Sequence, residues 1–142
     1  MKIGIFGLGA MGSVYATFFA ENGYDVSGFD DWDLHVKLIN QNGLKLSGYS
    51  GARVNKNIKA FDKVSNNQHF DLIIVSTKAN GVKKAAESIL PILNSDTTVI
   101  TIQNGLGSSD ELLTILPENL VLIGVADGFG ASLISPGHAH HN

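Results

Sequence analysis

The chain has 142 residues, 44% of them hydrophobic, a formal net charge of −3 and no cysteine. That length supports one domain with a real core and not two, and scattered Lys and Arg on an acidic chain leave no footprint for nucleic acid. Disulfides, zinc–thiolate sites and thiol nucleophiles are excluded together; no apolar run reaches the roughly 20 residues of a membrane span, and Met1-Lys2 leads straight into a strand where a signal peptide would have its apolar core, so a cytoplasmic protein is expected.

Lys2 to Phe6, with branched Ile3 and Ile5, reads as a buried strand that stops at Gly7-Leu8-Gly9-Ala10-Met11-Gly12, a G-x-G-x-x-G hexapeptide. In a dinucleotide site Gly7 allows the tight turn, Gly9 lets the backbone approach a pyrophosphate, and Gly12 lets the helix pack close to the strand. A helix beginning there points unpaired N–H groups and the positive end of its dipole at the phosphates, so no lysine is needed. Met11, Val14, Tyr15, Phe18 and Phe19 recur at helical spacing, and Asn22-Gly23 supplies the stop. The bare alternative, a flexible glycine turn, has no such flanks.

Tyr24 to Phe29 is the second strand and ends at Asp30-Asp31. An acid at that tip, about 20 residues past the glycines, accepts hydrogen bonds from the adenosine ribose. Carboxylates there repel the 2′-phosphate of NADP, so NAD is the expected cofactor, while Asp31 or Asp33 also suits the N-cap of the next helix. That helix is expected over Trp32 to Gln41, with Leu34, Leu38 and Ile39 inward and Asn42-Gly43 ending it. Leu44 to Ile58, short alternating segments separated by Gly48 and Gly51, suggests a β-hairpin, and polar Asp62 to Phe70 a loop.

The next strand is Asp71 to Ser76. Its continuous apolar run Leu72-Ile73-Ile74-Val75 suits a central parallel strand, and Thr77-Lys78-Ala79-Asn80 then lies at the rim where such sheets bind ligands. Lys78 is a candidate there, against the plain reading of a solvated surface lysine. A helix from Gly81 to Leu93 packs through Val82, Ala85, Ala86, Ile89 and Leu90, with Pro91 in its last turn. Thr98 to Ile102 is a buried strand that runs into Gln103-Asn104-Gly105-Leu106-Gly107, again at the rim, where Asn-Gly is equally a turn signal.

Ser109 to Leu116 reads as a short helix capped by Ser109 or Asp110, and Leu120 to Val125 as another strand. Beyond Ala126 the chain is glycine-rich and closes on a tail holding His138, His140 and His141. With no carboxylate or cysteine in register, and on an untethered tail, these histidines do not make a metal site. The alternation of elements gives the fold class: α/β, a Rossmann-type doubly wound, mainly parallel sheet with helices on both faces and an inserted β-hairpin.

KIGIFGLGAMGSVYA at the start, VSTKAN over 75–80, TIQNGLG over 101–107 and FGASLISPGHAHH over 129–141 are together more specific than the glycines alone. Through them the sequence resembles the ketopantoate reductases (2-dehydropantoate 2-reductases) over essentially all 142 residues. The resemblance implies reduction of ketopantoate to pantoate, in pantothenate biosynthesis, by hydride transfer from a nicotinamide. It implies that Gly7 to Gly12 hold the pyrophosphate, that Lys78 and Asn104 line the nicotinamide and substrate end, that Gln103 shapes that rim, and that Ala131 touches the cofactor through its backbone. The family is usually linked to NADP and carries a basic residue just past the second strand; Asp31 stands there, which keeps NAD as the expectation and a related 2-keto acid among the substrates.

The family continues into a helical domain that supplies a general-acid lysine and a substrate-binding carboxylate. Residues 1–142 are therefore read as the dinucleotide-binding domain, with that helical domain absent from this chain, binding cofactor without turnover. Two other readings stand beside this one. The 3-hydroxyisobutyrate and 6-phosphogluconate dehydrogenase group shares G-L-G-x-M-G but does not normally carry Gln-Asn-Gly after this strand. A stand-alone nucleotide-binding or sensing module is the other, since fold does not fix function.

Overall fold

The structure is a computed structural model and describes residues 1–103, 107–128 and 130–142. Its elements, in chain order, are β1 (Lys2–Phe6), α1 (Ala10–Glu21), β2 (Asp25–Phe29), α2 (Asp33–Asn42), β3 (Leu44–Gly48), β4 (Arg53–Asn55), β5 (Lys59–Phe61), β6 (Leu72–Val75), α3 (Val82–Ile89), β7 (Thr98–Thr101), α4 (Ser108–Leu113), β8 (Val121–Ile123), β9 (Ala131–Ser135) and β10 (His138–His141). Short 3-10 turns flank α3 at Ala79–Gly81 and Leu90–Ile92.

Six strands form one sheet in the order β5-β2-β1-β6-β7-β8, with every neighbouring pair parallel. Counted by chain position within this sheet, the order is 3-2-1-4-5-6, the doubly wound arrangement whose direction of travel reverses between β1 and β6. Side chains alternate across it, because successive Cβ atoms on a strand point to opposite faces. Ile3, Ile5 and Ile74 join Ala16, Ala20, Val36 and Ile39 on the α1 and α2 side. Phe6, Ile73, Val75 and Val99 meet Val82, Ala86, Ile89 and Leu112 on the α3 and α4 side. The expected doubly wound sheet, covered on both faces, is the observed one.

The inserted hairpin is part of something larger. β3 and β4 pair antiparallel, but β3 also takes β10 as a parallel neighbour, and β9 closes a second, four-stranded sheet in the order β4-β3-β10-β9. The chain beyond Ala126 is therefore no untethered tail: Ala139 is fully buried with Val14 and Leu46 between α1 and this sheet. Among the described residues no group of three or more His, Asp or Glu side chains is placed to hold a metal ion, and no helix is long and apolar enough to cross a membrane.

α1 is thus packed on two sides, which explains its mixed composition. Gly12, Ser13, Val14, Ala16, Thr17 and Ala20 are buried, whereas Met11, Tyr15, Phe18 and Phe19 are only half-buried. Of the large apolar residues that recur at helical spacing only Val14 is fully buried and the rest lie on the flanks, because small residues are what let a helix sit between two sheets. On α2 the inward residues are His35, Val36 and Ile39, while Leu34 is exposed. Leu90, expected in the packing face of α3, is exposed where the helix tightens into its 3-10 end.

β5 falls between the expected hairpin and the expected loop, on residues to which the sequence assigned no element. It is three residues long, and its outer edge is closed by the Asn40 carboxamide, which accepts from the Ala60 N–H at 2.9 Å and donates to the Ala60 carbonyl at 2.8 Å. One amide side chain on α2 so replaces a neighbouring strand. The expected side-chain caps are also absent. Trp32 holds the N-cap position of α2 and Gly107 that of α4, neither with a side-chain cap bond. It is Asp30, and not Asp31 or Asp33, that accepts the Trp32 N–H, at 3.0 Å.

Candidate functional site

The glycine turn is shaped by what surrounds it. Gly7 has φ +96°, a left-handed conformation that other residues adopt only with strain, and a Cβ there would lie 2.7 Å from the Thr77 nitrogen. A Cβ on Gly12 would sit 1.9 Å from the Gly7 carbonyl oxygen, so only glycine brings α1 this close to the turn. Gly9 is the opposite case: nothing lies within 4 Å of where its Cβ would be. That open volume belongs to a cleft.

The cleft measures about 920 Å³, in the size range of sites for small ligands. It opens beyond the C-terminal ends of β1, β2 and β6, at the reversal point of the sheet. Gly7, Gly9, Ala10 and Met11 line it at the turn, Asp30 and Asp31 at the tip of β2, and Lys78 and Gln103 at the far rim. No acidic residue and no side-chain cap occupies the first turn of α1, so the N–H groups of Ala10, Met11 and Gly12 have no partner within the helix. An anion is favoured there by those donors and by the helix dipole.

The remaining candidates divide. Leu8 does not line the cleft; its side chain is fully buried and fills the space that a Cβ on Gly28 would need, 2.3 Å away. Gly12 is buried and acts through packing. Lys78 is exposed, with no bond to anchor it among the described residues. Gln103 spends its carboxamide on the protein, donating to the carbonyls of Val75 at 3.0 Å and Thr77 at 3.2 Å and accepting from the Thr101 hydroxyl, so it clamps the end of β6. Asn104 lies outside the described residues. Ala131 begins β9 in the second sheet, packs beside Val14, Leu46 and Ala139 and does not line the cleft, whereas Ala126, five residues earlier, does.

Several lining residues carried no signal in the sequence. Asp62, Lys63 and Val64 reach the cleft because β5 adds a strand beside β2. Ser76 donates to the Gly7 carbonyl at 2.7 Å and ties the turn to β6. The Thr77 hydroxyl at the cleft wall is buried without a hydrogen-bond partner among the described residues. Lys84, on α3, reaches across to Asp31 at 2.7 Å, though both side chains are about two-thirds exposed. An ion pair that open contributes little to stability and yields readily to a ligand.

The family profile described as "Ketopantoate reductase PanE/ApbA" matches residues 3–142. The chain belongs to that family. It is 33% identical over 141 residues to a 2-dehydropantoate 2-reductase of Lactococcus lactis subsp. lactis, and 34% identical over 140 residues to one of Streptococcus pyogenes; the matches cover 98% and 99% of this chain but 45% of each relative. Among solved structures it resembles the ternary structure of D-mandelate dehydrogenase with NADH and anilino(oxo)acetate, with a TM-score of 0.92 and 31% identity over the whole of this chain and 46% of that one. The 2-dehydropantoate 2-reductase of Geobacter metallireducens gives a TM-score of 0.87 at 29% identity, covering 99% of this chain and 46% of that one. The chain therefore spans a little under half the length of the relatives it matches, and corresponds to their N-terminal part. The family match separates it from the 3-hydroxyisobutyrate and 6-phosphogluconate dehydrogenase group, whose glycine signature it shares.

Proposed function

We propose that residues 1–142 are the dinucleotide-binding domain of a 2-dehydropantoate 2-reductase-type oxidoreductase, and that they take NAD in preference to NADP. The observation that carries this reading is the glycine turn between β1 and α1, open to the cleft at Gly9 and backed by an uncapped helix N-terminus. Gly7, Gly9, Ala10 and Met11 would hold the pyrophosphate, and Asp30 the adenosine ribose. Asp30 is suited to the ribose because the Trp32 N–H engages one of its carboxylate oxygens and fixes the group, leaving the other to accept from a hydroxyl. Asp31 is paired with Lys84, whereas Asp30 forms no ion pair among the described residues, and its carboxylate opposes a 2′-phosphate.

The reaction of the whole enzyme is a 2-keto acid plus a reduced dinucleotide and a proton giving a 2-hydroxy acid and the oxidised dinucleotide. A dinucleotide held by Gly7, Gly9, Ala10 and Met11 would supply the hydride. Lys78, exposed at the rim, would pair with the carboxylate of the keto acid or polarise its ketone, a role that the family resemblance extends to Asn104, while the Gln103 clamp keeps the end of β6 in place. The proton comes from a general acid that we assign to a helical segment of the kind that completes the relatives. Ketopantoate is the first choice of substrate; a different 2-keto acid reduced with NADH is the second, favoured by the likeness to the D-mandelate dehydrogenase structure.

Titration with NADH and NADPH, followed by nicotinamide fluorescence, tests the cofactor assignment. NADH should bind more tightly, and Asp31→Arg, which removes an anion, adds a cation and frees Lys84, should move the preference toward NADPH by about 10- to 100-fold. Tighter binding of NADPH to the unaltered chain would overturn the assignment to NAD. Absence of binding to either would remove the dinucleotide reading and favour a different ligand for the cleft.

A further inference from the structure

A fully enclosed imidazole lies directly behind the glycine turn. His35, on α2, is 1% exposed. Its Nδ1 lies 2.9 Å from the backbone nitrogen of Gly137, in the turn between β9 and β10, and its Nε2 lies 2.9 Å from the carbonyl oxygen of Leu8, inside the glycine turn. The Gly137 N–H can only donate, so Nδ1 is the acceptor, the proton sits on Nε2, and Nε2–H donates to Leu8. The Ser13 hydroxyl donates to the same Leu8 oxygen at 2.6 Å. Trp32 lies over the imidazole, ring planes within 8° of parallel.

Both acceptor directions of the Leu8 carbonyl are thereby taken, on its inner side. In a trans peptide the C=O of one residue and the N–H of the next point in opposite directions across the same plane. Holding the Leu8 carbonyl inward therefore turns the Gly9 N–H outward, toward the cleft that Gly9 lines. That N–H has no partner among the described residues. We propose that His35 is a positioning residue for the phosphate subsite: through Leu8 it sets the plane of the Leu8–Gly9 peptide so that the Gly9 N–H is presented to a pyrophosphate oxygen, and through Gly137 it makes that setting depend on the second sheet. The proposal rests on the dinucleotide reading of the cleft.

Two substitutions separate this role from simple packing. His35→Phe keeps a planar ring for Trp32 to cover but bonds to neither Leu8 nor Gly137. His35→Gln keeps one donor and one acceptor on the same side chain. Isothermal titration of each variant and of the unaltered chain would use NADH, ADP and adenosine, the last lacking a pyrophosphate. NADH and ADP should bind His35→Phe about 10-fold more weakly or worse, adenosine within about 2-fold of the unaltered chain, and His35→Gln should recover most of the loss. Equal loss for adenosine, or no loss for ADP, would overturn the proposal.

Amide spectra taken without ligand read the same linkage independently of any cofactor. The Gly9 and Gly137 amide signals should move in His35→Phe and return toward their original positions in His35→Gln; unmoved signals would overturn the proposal even if NADH binds. If the unaltered chain binds neither NADH nor ADP, it is the dinucleotide reading that falls, and with it the phosphate role assigned to His35.

Discussion

At the scale of single residues, the three glycines of one hexapeptide are constrained by three different things. Gly7 is fixed by its dihedral angle, Gly12 by the backbone it touches and Gly9 by the space it leaves open. Their replacements by alanine should therefore separate. Gly12→Ala forces a methyl group onto the Gly7 carbonyl and should destabilise the fold by about 1–3 kcal/mol. Gly9→Ala meets nothing in the protein and should change the urea midpoint little, yet it puts a methyl group where a pyrophosphate would lie and should weaken NADH binding by about 10-fold or more. Urea titration and fluorescence titration of the two variants check both halves. Equal stability loss in the two would mean that the turn does not have this geometry.

At the scale of elements, the four-stranded sheet carries a small cluster that responds to pH. The Ser47 hydroxyl on β3 lies 2.8 Å from Nε2 of His138 and 3.1 Å from Nδ1 of His140, both on the neighbouring strand β10. Burial first, then the charge of Lys45, then His140, hold the His138 imidazole below its usual value of 6.5. The unfolded chain therefore takes up a proton at higher pH than the folded one does, so stability falls as pH drops through that usual value and levels off below the folded one. Urea midpoints measured between pH 7 and pH 5 should decline, and His138→Gln, which still bonds to Ser47, should decline less. Parallel profiles for the two proteins would mean that His138 does not carry this dependence.

These same elements show where sequence reading reaches and where it stops. The continuous run Leu72-Ile73-Ile74-Val75 announces a strand buried on both faces, and Gly7 to Gly12 announce the turn, because each pattern is local. Lys59-Ala60-Phe61 announces nothing: β5 exists because β2 offers an edge and Asn40 closes the other side. β9 and β10 were equally silent, since their partner β3 lies far back in the chain. On the cleft itself, the rim positions Lys78 and Gln103 could be placed from the ends of strands. Lys84 and His35 could not, because what brings them to Asp31 and Leu8 is the fold.

At the scale of the whole molecule, α1 joins the two sheets. Its Ala16 and Ala20 belong to the core of the large sheet, and its Val14 packs with Leu46 and Ala139 of the small one. Arg53, on β4, adds a paired contact to Glu21 at 2.5 Å and stands over the Phe18 ring, 5.5 Å from its centre. Neither sheet can shed this helix without exposing its own apolar surface, so the two should unfold together. Trp32, the only tryptophan, reports the region of His35 and Gly137, while far-ultraviolet circular dichroism reports the helices and the large sheet. Their urea transitions should coincide; an earlier tryptophan transition would show that the start of α2 and the turns around His35 melt alone.

The parallel pairing of β10 with β3 has a consequence for how the molecule is made. On the ribosome, β3 and β4 emerge long before the strand that fits beside them, and the glycine turn emerges earlier still. Until residues 138–141 are synthesised, β3 has a bare edge, Val14 and Leu46 lack their third partner Ala139, and His35 has no Gly137 to hold it against Leu8. The glycine turn, made before β3, gains the backing of His35 and Gly137 only after the chain has run on to β10.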